Sequence, residues 1–285
     1  MKWALLANLL FAFVDLAWKQ AQKYNSVSIN TAIRSWTSTI LLGCLVWVII
    51  PDWREWGQSF STALRHDFRV IGVGLFGWLG LWAFGKGLKD GALHAIIPVV
   101  ALTPVVTYVF WFLQNDSRSM PLENLGILLL MITGILLSFQ FQKNQDPQAP
   151  TLPILWACLA SSSWGLSYSW YESVTSQIGA IPTAAWVESC IAIGSSFLLI
   201  WTKSDAIKEI KWPLLTGLIT AFAVLTTVQS YAQHGTESTA IAGVITPVLS
   251  IFGAWLINKE KPMGLQWLSL SILIVTLIWQ SLLLT

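Results

Sequence analysis

Runs of apolar residues, each long enough to cross a lipid bilayer, follow one another along most of this chain. A spanning helix needs about 20 apolar residues, because the hydrocarbon core is about 30 Å thick and a helix rises about 1.5 Å per residue. Of the 285 residues, 55% are hydrophobic and 11% are charged, whereas a soluble domain carries about 25% charged residues. The runs are continuous rather than alternating, and backbone groups in lipid must be hydrogen-bonded internally. We therefore expect an all-α membrane protein.

Hydropathy and the spacing of turn residues predict ten transmembrane helices. They lie at about 3–22, 32–50, 70–88, 92–113, 124–142, 153–171, 182–201, 212–232, 238–257 and 264–284. The long connection at 51–69 contains Trp53, Trp56 and three arginines, which is typical of a segment at the membrane surface. The other loops are short, so the helices should form one bundle.

A polar, proline-rich segment interrupts the apolar pattern near the middle of the chain. It reads KNQDPQAPTLP, from Lys143 to Pro153. This composition predicts a first five-helix unit at 1–142, a linker at 143–152 and a second five-helix unit at 153–285.

The two units share an ordered series of short elements. LTPVV (Leu102–Val106) in the first unit matches ITPVL (Ile245–Leu249) in the second, and an Ala-Ile pair precedes each. A polar turn with a proline and a final apolar run follow each. Two copies of a unit with five spans must lie in opposite orientations, so we expect two inverted repeats, as in many secondary transporters.

Three further stretches resemble the drug/metabolite transporter superfamily in its EamA-like ten-helix branch. SSSWGLSY (Ser161–Tyr168) resembles the Trp-Gly element of a repeat's first helix, and AIRSW (Ala32–Trp36) resembles the arginine that opens its second helix. The stretch Ser230–Pro262 resembles the Tyr-Ala turn, the helix proline and the short acidic loop of the family. The resemblance implies a membrane transporter with cytoplasmic termini.

The first predicted helix carries charges where they are costly. Asn8, Asp15 and Lys19 share one stripe of this helix. A charge near the bilayer centre costs at least about 2.5–3.5 kcal/mol, so it should face the bundle interior. Two interpretations remain open: a local Asp15–Lys19 pair with Lys19 reaching the interface, or a site for a proton or a substrate amine.

Glu188 and Arg34 are the other embedded charges of interest. Glu188 lies in the seventh predicted helix, far along the chain from basic residues, and is the leading candidate for a protonatable carboxylate. Contact of Glu188 with headgroups or water is the alternative. Arg34 opens the second helix, where it either reaches the interface or forms an internal ion pair with Asp15 or Glu188.

Several aromatic and polar side chains are candidates for lining a substrate cavity. Trp78, Trp82 and Lys86 repeat every four residues and so share a helix face, although close packing of a glycine-rich helix accounts for them equally well. The remaining candidates are Trp164, Tyr168, Gln229 and Tyr231, and for Trp164, as for Trp82, a packed core aromatic is the alternative. Pro104 and Pro247 each remove a helix hydrogen bond, and we interpret them as hinges, with ordinary tolerated kinks as the alternative.

The sequence argues against several classes of partner. No His, Cys, Asp or Glu set has metal-ligand spacing, and no phosphate-binding loop is visible, so we expect neither a metal nor a cofactor. The net charge is +2 without a basic tract, which excludes a nucleic-acid partner. The charge count conflicts with the resemblance on orientation: the side that holds the N-terminus has five of the 16 Lys and Arg residues, which predicts external termini.

Together these patterns predict a secondary-active transporter or exporter of a small polar metabolite, of amino acid or amine type. We expect alternating access at a cavity between the repeats, with protons as the candidate coupling ion through Asp15 or Glu188. The expected location is the cell (inner) membrane, as a multi-pass monomer or homodimer. The alternatives are a lipid-acting enzyme, for which no catalytic cluster is visible, and a non-transporting partner subunit.

Overall fold

A computed structural model describes residues 2–50, 53–91, 93–114, 151–202, 206–243 and 245–258, with 267–268, 271–272 and 274–275. These residues form helices joined by short turns. The helices are α1 (Lys2–Ala21), α2 (Val27–Ile49), α3 (Trp53–His66), α4 (Phe68–Asp90), α5 (Leu93–Val100), α6 (Thr103–Gln114), α7 (Thr151–Ser169), α8 (Tyr171–Ile178), α9 (Ala180–Trp201), α10 (Lys211–Ala242) and α11 (Ile245–Asn258).

The described helices include five that are long and apolar enough to cross a bilayer: α1, α2, α4, α9 and the first part of α10. The predicted helix at 124–142 and most of the linker at 143–152 lie outside the described residues, as does most of the predicted helix at 264–284. The second helix begins at Val27 rather than at residue 32. Its start is set by Ser26, whose hydroxyl caps the helix by accepting a hydrogen bond from the N–H of Ile29 at 3.4 Å.

The fourth predicted helix is broken rather than continuous. α5 ends at Val100 and α6 begins at Thr103. The ring of Pro104 clashes with a helical carbonyl four residues earlier, at Val100, and so ends α5 there. The hydroxyl of Thr103 donates to that freed carbonyl at 2.7 Å. The ninth predicted helix breaks at the matching place, between Ala242 and Ile245, immediately before its own Thr-Pro pair.

A second interruption lies within α10 at Gly235. This residue has φ +75° and ψ 174°, which side chains with a Cβ rarely adopt. The helix resumes at Thr236, whose N–H donates to the Glu172 carboxylate at 2.8 Å. Glu172 therefore caps the new helix start, where the helix dipole favours a negative charge.

We expect Gly235→Ala to lower the free energy of unfolding by about 1–3 kcal/mol, because alanine is strained at this φ and ψ. Gly43→Ala is the matched control, since Gly43 is helical and a Cβ there meets nothing within 4 Å. The control should be neutral or stabilising by up to about 1 kcal/mol. Thermal unfolding in detergent measures both, and equal effects of the two substitutions would contradict the prediction.

The two halves of the chain pack against each other reciprocally. α1, the first helix of the first half, packs on α10 and α11 of the second half. α7, the first helix of the second half, packs on α4, α5 and α6 of the first. α2 of the first half packs on α9 of the second half. Because each half completes the other, the core of the bundle is the interface between them.

The two ends of the bundle are joined by different contacts. At the end that holds α3 and α8, here called the α8 end, the Gln177 amide donates to Asp67 at 2.6 Å. Burial acts to raise the pKa of Asp67, but hydrogen bonds from Arg69 and Gln177 outweigh it, so the pKa lies below its usual value. At the opposite end, here called the Asn25 end, the Asn25 side chain binds the backbone of Lys208 and Glu209.

Candidate functional site

A cavity of about 150 Å³ lies where the two halves meet. It is lined by residues of α1, α2 and α4–α6 from the first half and of α7–α11 from the second. Much of its wall is apolar, and its charged lining residues are Asp15, Arg34 and Glu188. The cavity thus concentrates embedded charges from α1, α2 and α9 in one place.

Arg34 and Glu188 form a buried, two-pronged ion pair across the α2–α9 contact. The guanidinium donates from Nη1 to Oε2 at 2.6 Å and from Nη2 to Oε1 at 3.1 Å. The hydroxyl of Ser38, one turn along α2 from Arg34, donates to Oε2 as well. Arg34 is 3% exposed and Glu188 is 0% exposed. Of Asp15 and Glu188, the two partners considered for Arg34, the structure pairs Arg34 with Glu188. Neither Arg34 nor Glu188 lies at a helix end that faces water.

Asp15 is buried without a cationic partner among the described residues. Its carboxylate accepts a hydrogen bond from the Ser250 hydroxyl at 2.7 Å, and no described Lys, Arg or His nitrogen lies within 4.0 Å of it. A buried carboxylate in this state gains from a proton or from a cation that enters the cavity. Arg34 neutralises Glu188, whereas Asp15 has no such counter-charge among the described residues.

Lys19 lies one turn beyond Asp15, where its ammonium is bound by the end of α4. Its Nζ donates to the carbonyl oxygens of Leu88 at 2.7 Å and Gly91 at 2.6 Å. The C-terminal end of a helix carries partial negative charge and unpaired carbonyls, so a cation is stabilising there. This role is structural and was not predicted from the sequence.

Three tyrosines line the cavity near the α8 end. Tyr168, Tyr171 and Tyr231 form a mutual cluster, with ring centroids 5.1 Å, 5.4 Å and 6.1 Å apart. The three tyrosines line the same cavity as Asp15, Arg34 and Glu188. The aromatic faces and hydroxyls together offer both cation–π and hydrogen-bonding contacts.

Trp164 also lines the cavity, and its position follows from the glycines of α4. The indole Nε1 donates to the carbonyl of Gly77 at 3.2 Å. A Cβ on Gly80 would lie only 2.5 Å from the indole ring, so glycine is required for this contact. The ring lies 5.3 Å from Phe84, measured between centroids.

The structure places Trp78, Trp82 and Lys86 outside the set of residues that line this cavity. The face of α4 that points inward carries Gly77, Leu81 and Phe84. Each tryptophan follows an inward residue directly, and one residue turns the helix by about 100°.

Trp78 lies against Gly194 of α9, where a Cβ would meet its ring at 2.8 Å. Trp82 packs edge-to-face on Trp156, with centroids 5.0 Å apart, and Lys86 lies 6.0 Å from the Trp82 ring. Close helix packing, the alternative given for this stripe, describes these contacts.

Gln229 is likewise absent from the cavity lining in the described chain. On α10 the inward positions are Val224, Thr227 and Tyr231, at helical spacings of three and four. Gln229 lies two residues from both Thr227 and Tyr231, which turns it to another face. The substrate-binding role assigned to Gln229 remains a prediction that this cavity lining does not support.

The helix breaks also border the cavity. Pro104 and Thr246 both line it, whereas the side chain of Pro247 lies outside the described residues. Asn8 of α1 bridges the second break: its Nδ2 donates to the carbonyl of Ala242 at 3.0 Å, and its Oδ1 accepts from the Thr246 hydroxyl at 2.6 Å. In the other half, Thr103 and Ser161 make the corresponding contact between a break and a first helix, at 3.4 Å. The hinge role assigned to Pro104 and Pro247 remains a prediction.

The described residues contain no group of three or more His, Cys, Asp or Glu side chains arranged to hold a metal ion. Ser38, Ser250 and Thr246 are site residues that the sequence did not single out. Their hydroxyls donate hydrogen bonds to Glu188, Asp15 and Asn8, respectively. The members of these pairs are 150, 235 and 238 positions apart in the sequence. Helix periodicity within one segment carries no signal for such pairs.

Comparison with known proteins identifies the family of this chain. The model of the EamA-like transporter family matches residues 1–140 and again residues 151–282. No curated protein matches the chain. A solved structure titled "Crystal structure of protein" is 16% identical, with a TM-score of 0.74 over 99% of this chain and 96% of that chain, which shows a shared fold. The resemblance found in the sequence is confirmed, and the chain belongs to the EamA-like transporter family.

Proposed function

We propose that this protein is a secondary-active transporter or exporter of a small polar metabolite in the cell (inner) membrane. The observation that carries the proposal is the cavity between the halves, where Asp15 is buried beside an ion pair and a tyrosine cluster. Embedded charges are costly, and in membrane proteins they mark paths for substrates and ions. The family provides the general activity, and the cavity supports the finer assignment.

The two repeats take opposite orientations and rock about the cavity to expose it alternately. Reciprocal packing of the halves supports this mechanism, since each first helix lies against the third and fourth helices of the other half. The two matched helix breaks support it too, because discontinuous helices at the interface of inverted repeats are where transporters bind substrate. In this scheme ten helices complete the bundle.

The cargo carries an ammonium group, as amino acids and amines do. Asp15 accepts the ammonium, and the rings of Tyr168, Tyr171 and Tyr231, which line the same cavity, stabilise the cation. Asp15 holds either the cargo or a proton, so the two compete for one carboxylate. Such competition couples proton movement to cargo movement without a second site.

Uptake of radiolabelled amino acids and amines into proteoliposomes tests the proposal, with Ala240→Leu as the blocking variant. Ala240 lines the cavity and is 3% exposed, so a leucine there occupies space that the cargo needs. We expect uptake to fall at least tenfold. Ala232→Leu is the matched control, because Ala232 lies on the exposed side of the same helix, and it should transport as the wild type does.

Folding is followed in the same samples, by size-exclusion chromatography and thermal unfolding. Equal transport by the two leucine variants would show that the cargo does not pass this cavity. A wild-type protein that moves no solute of either class down or against a proton gradient would contradict the transport proposal itself.

A further inference from the structure

A second polar site lies beside the cavity, where the end of α1 meets α4. Nε1 of Trp18 and both amide atoms of Gln22 are buried, and none has a hydrogen-bond partner within the described residues. Trp18 is 0% exposed and Gln22 is 8% exposed. Buried donors and acceptors in native proteins are satisfied by protein groups or by ordered water, so these atoms call for a ligand.

Two of these atoms converge on the backbone of Gly85 in α4. A Cβ built on Gly85 would lie 3.5 Å from Nε2 of Gln22 and 3.6 Å from Nε1 of Trp18. The two nitrogens are therefore separated by at most the sum of these distances, about 7.1 Å. One or two water molecules bridge such a gap with hydrogen bonds of about 2.9 Å each.

The site continues the stripe of α1 that carries Asp15. Asp15, Trp18 and Gln22 follow at spacings of three and four, which places them on one helix face. Asp15 and Trp18 both line the cavity. Gln22 follows the last residue of α1, and its N–H still donates to the carbonyl of Trp18 at 3.0 Å. The stripe therefore leads from Asp15 toward the Asn25 end of the bundle.

Buried polar groups extend from Gln22 to that surface. Asn30 of α2 is 0% exposed, and its Nδ2 has no partner within the described chain. Its Oδ1 accepts from Nδ2 of Asn25 at 2.9 Å. Asn25 in turn accepts from the backbone N–H groups of Lys208 and Glu209, at 2.9 Å and 3.1 Å. The buried amides of Gln22, Asn25 and Asn30 therefore all lie around the turn between α1 and α2, at the Asn25 end.

We propose that Trp18 and Gln22 bind water between α1 and α4, and that this water carries protons between Asp15 and the solution at the Asn25 end. Water fits because the site presents N–H donors and an amide oxygen acceptor, and water both accepts and donates. The proton leaves the Asp15 carboxyl for a lone pair of the bound water, and this water passes one of its own protons to water of the solution at the Asn25 end, which leaves the Asp15 carboxylate and an intact bound water. The coupling role rests on the proposed function, whereas the water site itself does not.

The charged and titratable groups around Asp15 leave this route open. Arg34 of α2 and Glu188 of α9 neutralise each other, and the Lys19 ammonium is held by carbonyls at the end of α4. Tyr168 of α7 and Tyr231 of α10 lie on the side of the α8 end. Lys86 of α4 lies near the Trp82 ring, and the group that α11 presents to Asp15 is the hydroxyl of Ser250.

Radiolytic hydroxyl-radical labelling tests the water site without any transport assay, because radicals form at bound water. We expect Trp18 to be oxidised faster than Trp170, although Trp170 is the more exposed of the two at 7%. Gln22→Met, which keeps the length of the side chain but not its polarity, should lower Trp18 labelling about fivefold. Labelling of Trp18 that does not exceed that of Trp170, or that Gln22→Met leaves unchanged, would overturn the water site.

Proteoliposome assays test the proton route. Proton-driven uptake requires release of the proton from Asp15, whereas cargo exchange does not. Gln22→Met and Gln22→Leu should therefore slow proton-driven uptake about tenfold and leave cargo exchange intact. Gln233→Met, at an exposed glutamine, is the matched control. Equal loss of both activities, or loss of neither, would overturn the route. Absence of both activities in the wild type would count against the proposed function, and the labelling result would stand independently.

Discussion

Replacing Glu188 with glutamine is expected to lower the free energy of unfolding by about 3–5 kcal/mol, because it leaves the guanidinium of Arg34 buried without its counter-charge. The two side chains are 3% and 0% exposed and are joined by two hydrogen bonds, at 2.6 Å and 3.1 Å. Solvent cannot compensate for the lost charge at such burial. Thermal and denaturant unfolding of the purified protein in detergent, followed by tryptophan fluorescence, measures the change.

The double variant Arg34→Met/Glu188→Leu separates loss of charge pairing from loss of the site. Replacing both members of a buried pair with apolar residues is often neutral or stabilising. We therefore expect the double variant to recover most of the stability that either single substitution removes. Single substitutions that change the free energy of unfolding by less than about 1 kcal/mol would instead resemble an exposed pair and contradict the buried geometry.

Composition and periodicity were sufficient to predict the class of fold. Long apolar runs allow helices alone, and costly charges must turn inward, so the burial of Asp15 and Glu188 followed from energetics. The sequence offered Glu188 as one of two ion-pair partners for Arg34 but did not decide between them, because 154 positions separate Arg34 from Glu188. Contacts between distant segments depend on which helices become neighbours, and spacing within one helix carries no such information.

The rotation of α4 explains why Trp78, Trp82 and Lys86 do not line the cavity. A stripe of Trp78, Trp82 and Lys86 is an obvious pattern, yet the smaller residues beside it face the cavity. In lipid, large apolar side chains gain little by turning inward, because acyl chains are as apolar as the core. Small residues decide which face approaches a neighbouring helix. The size of the side chains therefore does not indicate which face of α4 borders the cavity.

The helix breaks show a similar limit of local reasoning. Pro104 was recognised as a place where a hydrogen bond is lost, but a proline is compatible with a kink as well as with two separate helices. The outcome depended on partners for the freed groups. In one half, the Thr103 hydroxyl donates a hydrogen bond to the carbonyl of Val100. In the other, the side-chain amide of Asn8 in α1 donates to the carbonyl of Ala242.

We expect Asp15→Asn to lower transport without lowering the free energy of unfolding, whereas Glu188→Gln lowers the free energy of unfolding. The carboxylate has Ser250 as its described hydrogen-bond partner and no described cation within 4.0 Å, so asparagine removes a buried charge without leaving another one behind. We expect the unfolding temperature to stay the same or rise. A hydrogen bond to a charged group contributes about 1.5–3 kcal/mol, so affinity for an ammonium cargo should fall about 10- to 150-fold.

Asp90→Asn makes the same chemical change at an exposed position on α4 and serves as the matched control. Cargo binding is measured by ligand-induced thermal stabilisation, and transport by uptake into proteoliposomes with and without a proton gradient. Asparagine has no ionisable proton and no negative charge. Asp15→Asn should therefore abolish the response of uptake to the proton gradient. The pairing of Glu188 with Arg34 should keep Glu188 from substituting for it. A gradient response that survives in Asp15→Asn would therefore move the coupling group elsewhere, even if binding were weakened.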